Sequence, residues 1–130
     1  MNNEAIARAF SGHRFEETFD YLSPDVTWIL VGQARLEGHA AVIDTCRQTI
    51  AESADVETTW LRFVSAGTGD IVAVDAIGRY EGTNGVSAVS SCDIFEFEDG
   101  KVATITSYAV EVDPDDPSAA PPGSEDIRRH

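Results

Sequence analysis

Apolar side chains recur at helical spacing through the first part of the chain. Ala5, Ile6, Ala9 and Phe10 form one stripe that stops at Ser11-Gly12, and Phe15, Phe19 and Leu22 form a second that Ser23-Pro24 ends. Two short helices are therefore expected before the first strand, Val26-Thr27-Trp28-Ile29-Leu30-Val31, which is β-branched and aromatic and is followed by Gly32. Gly38 opens a third helix, roughly residues 39–52, with Ala40, Val42, Ile43, Cys46 and Ile50 available for a buried face. Beyond Ser53-Ala54-Asp55 the sequence becomes strand-rich. Strands are expected at about 56–66, 71–81, 86–98 and 101–112, joined by Gly67-Thr68-Gly69-Asp70, Gly82-Thr83-Asn84-Gly85 and Asp99-Gly100, whose residues tolerate positive φ. Short turns between consecutive strands predict an antiparallel meander. From Asp113 the chain turns acidic and rich in proline, with too little apolar surface to offset the entropy of ordering, so a flexible tail over 113–130 is expected after one domain over 1–112.

Alternation across a sheet assigns side chains to faces. In the third of these strand-rich segments Val89, Ser91, Asp93, Phe95 and Phe97 share a face, which places a carboxylate among phenylalanines. An apolar surround disfavours the charged form of an acid, so Asp93 is a candidate for a neutral acid that donates a hydrogen bond. A carboxylate satisfied by backbone amides, or by a hydroxyl such as that of Ser91, fits the same pattern. Val72, Val74, Ala76, Gly78 and Tyr80 share a face, and Asp75 falls on the other, near Arg79, as an exposed or interfacial carboxylate. On the last strand Ala103, Ile105, Ser107, Ala109 and Glu111 oppose Val102, Thr104, Thr106, Tyr108, Val110 and Val112, and neither face is strongly polar. A sheet apolar on both sides needs two covers, and a homodimer through one sheet face is expected.

Composition narrows the classes. With 130 residues, 42% hydrophobic and 25% charged, the chain matches a single globular domain. A net charge of −14, with nine scattered basic residues, argues against nucleic acid as a partner. No apolar run approaches a membrane span, and the N-terminal residues lack a basic region followed by an apolar core, so no membrane partner and a cytoplasmic location are expected. Cys46 and Cys92 read as reduced core residues. The three histidines, His13, His39 and His130, form no zinc motif and read as capping or surface residues. No nucleophile elbow, phosphate-binding glycine loop or dinucleotide fingerprint occurs, and neither metal nor cofactor is expected.

Three stretches carry a resemblance: 12–28, from Gly12-His13-Arg14-Phe15 to Trp28; 36–42, Leu36-Glu37-Gly38-His39-Ala40-Ala41-Val42; and 93–102, from Asp93-Ile94-Phe95 to Val102. In this order and spacing they resemble the nuclear-transport-factor-2-like superfamily over residues 4–112, the group that includes ketosteroid isomerases, limonene-epoxide hydrolases and SnoaL-like polyketide cyclases. The resemblance implies an α+β cone: a curved, mixed, mainly antiparallel sheet packed with three N-terminal helices around a pocket. It also implies that Trp28, Leu30, Val74, Ala76, Tyr80, Phe95, Ile105, Ser107 and Ala109 line that pocket, with Asp93 facing inward. Asp93 matches the protonated acid of ketosteroid isomerases, which together with a tyrosine binds the developing enolate oxygen. The positions of that family's base and tyrosine fall near Leu30 and Ile6, so two of its three groups are missing. The final aspartate of limonene-epoxide hydrolases falls near Ser107, and no Arg accompanies Asp75 on the inward face. The expectation is a SnoaL-like protein that binds a small hydrophobic molecule, with cofactor-independent acid/base chemistry of the isomerase, cyclase or hydrolase type through catalytic Asp93. The alternative is a non-catalytic ligand-binding or dimerisation domain with a filled pocket.

Overall fold

The computed structural model describes residues 1–123. Helix α1 (Asn3–Ser11) leads into a 3-10 helix (Phe15–Tyr21), strand β1 (Leu22–Leu30), strand β2 (Ala34–Glu37) and helix α2 (His39–Glu52). Strands β3 (Glu57–Thr68), β4 (Ile71–Gly82), β5 (Gly85–Glu98) and β6 (Lys101–Val112) follow. The sheet order is β2-β1-β6-β5-β4-β3, antiparallel except where β1 runs parallel to β6. The α+β cone with three helices on a curved, mixed sheet is therefore present.

Four local features depart from the sequence reading. The second helix is a 3-10 helix, and β1 begins at Leu22, not Val26. Pro24 lacks an N–H, and the β1–β6 ladder is interrupted between Leu22 and Thr27, where that missing donor costs no bond. Strand β2 is an addition to the expected elements; it folds back on β1 through a turn in which Gly32 holds φ at +80°. The fourth is a bulge between Glu96 and Phe97 against β6, which turns Val102 inward to full burial instead of outward beside Thr104.

The core is built where the helices meet the inner sheet face. Ile6, Ala7 and Phe10 of α1, Val42, Ile43 and Cys46 of α2, and Val72, Val74, Phe95, Phe97, Val102 and Ile105 of the sheet pack in one buried cluster. Helix α1 is capped by Asn2, whose side chain accepts a 2.7 Å bond from the Ala5 N–H. Beyond β6, Asp113 donates its N–H to the Ala119 carbonyl (3.1 Å) and Asp115 stands 3.9 Å from Arg79.

Candidate functional site

The cavity follows from the size of the side chains on successive rungs of the inner sheet face. The innermost rung pairs Val72, Phe95 and Ile105, all large and buried. The next pairs Val74, Asp93 and Ser107; then come Ala76, Ser91 and Ala109; then Gly78, Val89 and Glu111. As side chains shrink over the first three rungs, the space they vacate becomes a cavity of about 210 Å³. Of the residues the sequence assigns to a pocket, Asp93, Trp28, Leu30, Tyr80, Ser107 and Ala109 line this space. Val74, Ala76, Phe95 and Ile105 do not: they are closed into the packed end of the cone, at 1% exposure or less, and act as its floor. The same cavity is lined by residues that the sequence reading passes over, chiefly Phe10, Ser11 and His13 from the end of α1 and its exit, Thr49 from α2, and Trp60 from β3.

Asp93 is half-buried, and its Oδ2 accepts a 2.7 Å hydrogen bond from the Ser11 hydroxyl. The anchoring hydroxyl thus comes from α1, not from neighbouring Ser91, whose own Oγ reaches toward the Ala76 carbonyl at 3.5 Å. Asp93 Oδ1 has no protein hydrogen-bond partner among the described residues. Ser107 accepts from Trp28 Nε1 at 2.8 Å, which satisfies the indole and holds its ring edge-on to Phe10. Asp75 lies on the outer face, paired with Arg62 at 2.9 Å and not with Arg79, because β3 brings Arg62 directly across from Ile77, close to Asp75 along β4.

Tyr80 folds back along β4 over Gly78. A Cβ added at Gly78 would lie 2.5 Å from the Tyr80 hydroxyl and 3.0 Å from the Trp60 ring, so glycine is what admits both rings. Burial and then the Asp93 charge push the Tyr80 phenol upward, so it stays a hydrogen-bond donor across neutral pH. No protein partner takes that hydrogen among the described residues.

His13 sits at the end of α1 and is exposed, as a capping or surface residue would be, and it also borders the cavity. Helix α1 ends in a Schellman motif, with the Arg14 N–H bonded to Ala9 O (2.8 Å) and the His13 N–H to Phe10 O (3.1 Å). His13 occupies the left-handed position at φ +64°, where glycine is usual. The residue as a whole is exposed, yet its ring lies roughly parallel to those of Phe15 (5.3 Å) and Tyr80 (6.1 Å) and edge-on to Trp60 (5.4 Å). Loss of water on those sides lowers its pKa, and the nearby Asp93 charge partly opposes that. His39 behaves differently: its Nε2 meets the Phe19 carbonyl at 3.1 Å, a structural contact. His130 lies outside the described residues. Among the described residues no group of three or more His, Cys, Asp or Glu is placed to hold a metal ion.

A larger depression of about 340 Å³ sits outside this cavity, between Glu52 and Asp55 and the β4–β5 turn, sharing Tyr80 with it. It is mostly polar and holds none of the groups just described except that tyrosine, so the candidate chemistry belongs to the smaller, apolar space.

Residues 3–105 match the family described as SnoaL-like domain. The chain is similar in structure to an NTF2-like protein of unknown function from Cytophaga hutchinsonii ATCC 33406, with 28% identity, a TM-score of 0.71, and 82% of this chain and 94% of that one covered. A putative polyketide cyclase from Xanthomonas campestris pv. campestris is 19% identical with a TM-score of 0.64, covering 80% of this chain and 84% of that one. An LEH-like epoxide hydrolase from M. tuberculosis is 20% identical with a TM-score of 0.60, covering 83% and 84%. These last two share the fold. No curated protein matches the chain. With the family match running from α1 into β6, over the same elements that enclose the cavity, the chain belongs to the SnoaL-like domain family.

Proposed function

We propose that this chain binds a small, mostly apolar molecule in the cavity beneath its helices and moves a proton on it by acid/base chemistry that depends on Asp93, without a cofactor. One observation carries this reading: an anchored carboxylate, with one oxygen bonded by Ser11 and the other unpartnered among the described residues, faces an apolar space and exerts its charge on Tyr80 and His13. A cavity of about 210 Å³ suits a compact ring compound more than an extended chain. The reaction class is proton removal from a carbon acid such as a carbon next to a carbonyl, the step shared by isomerases and cyclases. In that step the Tyr80 hydroxyl supplies a hydrogen bond to the oxygen that gains charge.

The test uses 5-nitrobenzisoxazole, a compact carbon acid. A base takes its ring C–H proton, the C–H electron pair forms the nitrile, and the N–O bond breaks to leave a coloured cyanophenolate. Turnover above that of acetate buffer at matched pH, reduced in Asp93→Asn with the fold retained by circular dichroism, is the expected result. Saturable binding of the probe without turnover supports a ligand-binding domain instead. No binding and no turnover would sink the reading.

A further inference from the structure

We propose that His13 is the proton acceptor of this site, with Asp93 opposite it stabilising the imidazolium that forms. The inference rests on the acid/base reading above and assigns its proton-accepting atom.

Four observations converge on the ring. First, its position is fixed without its nitrogens: the ring is held by Phe15, Tyr80 and Trp60, and neither nitrogen has a hydrogen-bond partner among the described residues. A structural histidine normally uses those nitrogens, as His39 does with the Phe19 carbonyl. Second, the backbone at His13 is left-handed, a conformation that glycine or asparagine adopts at less cost. A Schellman end needs no imidazole, so ending the helix does not by itself account for the side chain. Third, His13 borders two spaces, the inner cavity that contains Asp93 and an outer surface depression of about 250 Å³ bordered by Glu16 and Glu17. A proton accepted on the inner side therefore has a route to water on the outer one. Fourth, no direct bond joins His13 to Asp93, yet the carboxylate's charge reaches it. A ligand in the cavity can then meet the imidazole while the carboxylate acts through space.

The step balances simply. The neutral imidazole's unprotonated nitrogen takes the proton from the substrate carbon, the C–H pair moves into the adjoining π-system, and Tyr80 donates a hydrogen bond to the oxygen that becomes negative. Loss of water on the sides that face the three rings lowers the imidazole's pKa and so favours the neutral form that can accept, and the Asp93 charge favours the cation once the proton arrives. The other titratable or charged groups around it are Tyr80 from β4 and, on the outer side, Arg14, Glu16 and Glu17. Arg14 and Glu17 pair at 3.1 Å and largely offset one another.

The experiment compares wild-type protein, His13→Gly, His13→Asn and Asp93→Asn with 5-nitrobenzisoxazole across pH 4–9, in the full chain. Both His13 substitutes tolerate the left-handed backbone, so melting temperatures equal to or above wild type are expected. The wild-type kcat/KM should fall on the acid side with a midpoint below about 6.5. Each His13 variant should lose about 10²-fold or more of the rate together with that acid limb, and added imidazole should restore part of the rate in His13→Gly. Asp93→Asn should lower both the rate and the midpoint, since the charge that raises the imidazole is gone. If Asp93→Asn abolishes turnover while the His13 variants keep rate and pH profile, the aspartate is itself the base: this inference falls and the broader reading stands. If the wild-type protein shows no turnover, both fall.

Discussion

Gly78→Ala should disable the site without replacing a residue that lines it. The added methyl would lie 2.5 Å from the Tyr80 hydroxyl, 2.7 Å from its ring carbon Cζ and 3.0 Å from Trp60. Ordinary contact between carbon atoms begins at about 3.5 Å, so the end of the tyrosine must move by about 1 Å. Because the atoms in the way are the far end of a side chain, the strand itself can stay in place. Overpacking costs about 1–3 kcal/mol, and replacing glycine by alanine returns about 0.4–1 kcal/mol through the unfolded chain where the backbone is compatible. The net loss of about 0–2.6 kcal/mol should lower the melting temperature by no more than about 10 °C. Turnover of 5-nitrobenzisoxazole should fall much further, about 10²-fold, since a hydrogen-bond donor misplaced by about 1 Å no longer meets the developing charge. Tyr80→Phe, which removes the donor and leaves the ring, is the companion variant and should show a similar loss with little change in stability. The decisive comparison is between the two. If Tyr80→Phe loses rate and Gly78→Ala keeps it, the methyl has not displaced the tyrosine and the steric reasoning is wrong. If both keep it, Tyr80 is not the donor.

Four further outcomes follow from the same structure. Ser11→Ala removes the only protein hydrogen bond given to Asp93 among the described residues and should lower stability by about 1–3 kcal/mol in urea titration, with a matching fall in turnover. For His13 the folded pKa lies below the ordinary value of 6.5, so the unfolded chain binds more protons as pH drops. Its contribution is therefore complete above pH 6.5 and declines as pH falls from there toward the lowered folded value; in His13→Gly that part of the decline should vanish from melting curves measured between pH 7 and 4.5. At pH 8 the same variant should be at least as stable as wild type, because relief of about 1–2 kcal/mol of left-handed strain outweighs the roughly 0.5–1 kcal/mol of extra chain entropy that glycine brings. On the outer sheet face Val64 and Tyr108 lie on one rung, with Val110 next along β6, and they remain 45%, 49% and 64% exposed; we propose that a second copy of the chain covers them. Sedimentation should give a dimer at micromolar concentration and a monomer for Tyr108→Glu with Val110→Lys; a wild-type monomer would rule the interface out.

How much of this is legible in the sequence depends on how far each feature is from its cause along the chain. Four long strands and the third helix are readable because period and turn residues are local: Asp99-Gly100 ends one strand and starts the next without outside help. Strand β2 is not, since Ala34–Glu37 is four residues with one half-buried side chain, and only pairing with β1 makes it a strand. Parity puts Asp93 on the same face as Phe95, where the register has it, yet parity cannot count through a bulge, and Val102 is lost at the one between Glu96 and Phe97. The same limit applies to the site. That Val74 and Phe95 close the floor while Ser91 and Ala109 leave space becomes visible only when three strands are in register, after which the decreasing side-chain size along the cone is plain in the sequence itself. His13 is hidden for a different reason. The apolar stripe of α1 stops at Ser11-Gly12, and the left-handed residue that closes the helix is the next one, His13. The shift swings an imidazole into an aromatic enclosure beside Asp93, a residue 80 positions away in sequence. A helix end offset by one residue thus sets an exposed histidine on the cavity wall, which is where the proton-accepting role proposed above requires it. The ordinary preference for glycine there supplies the most direct check, because removing the side chain should leave the fold no weaker and the chemistry absent.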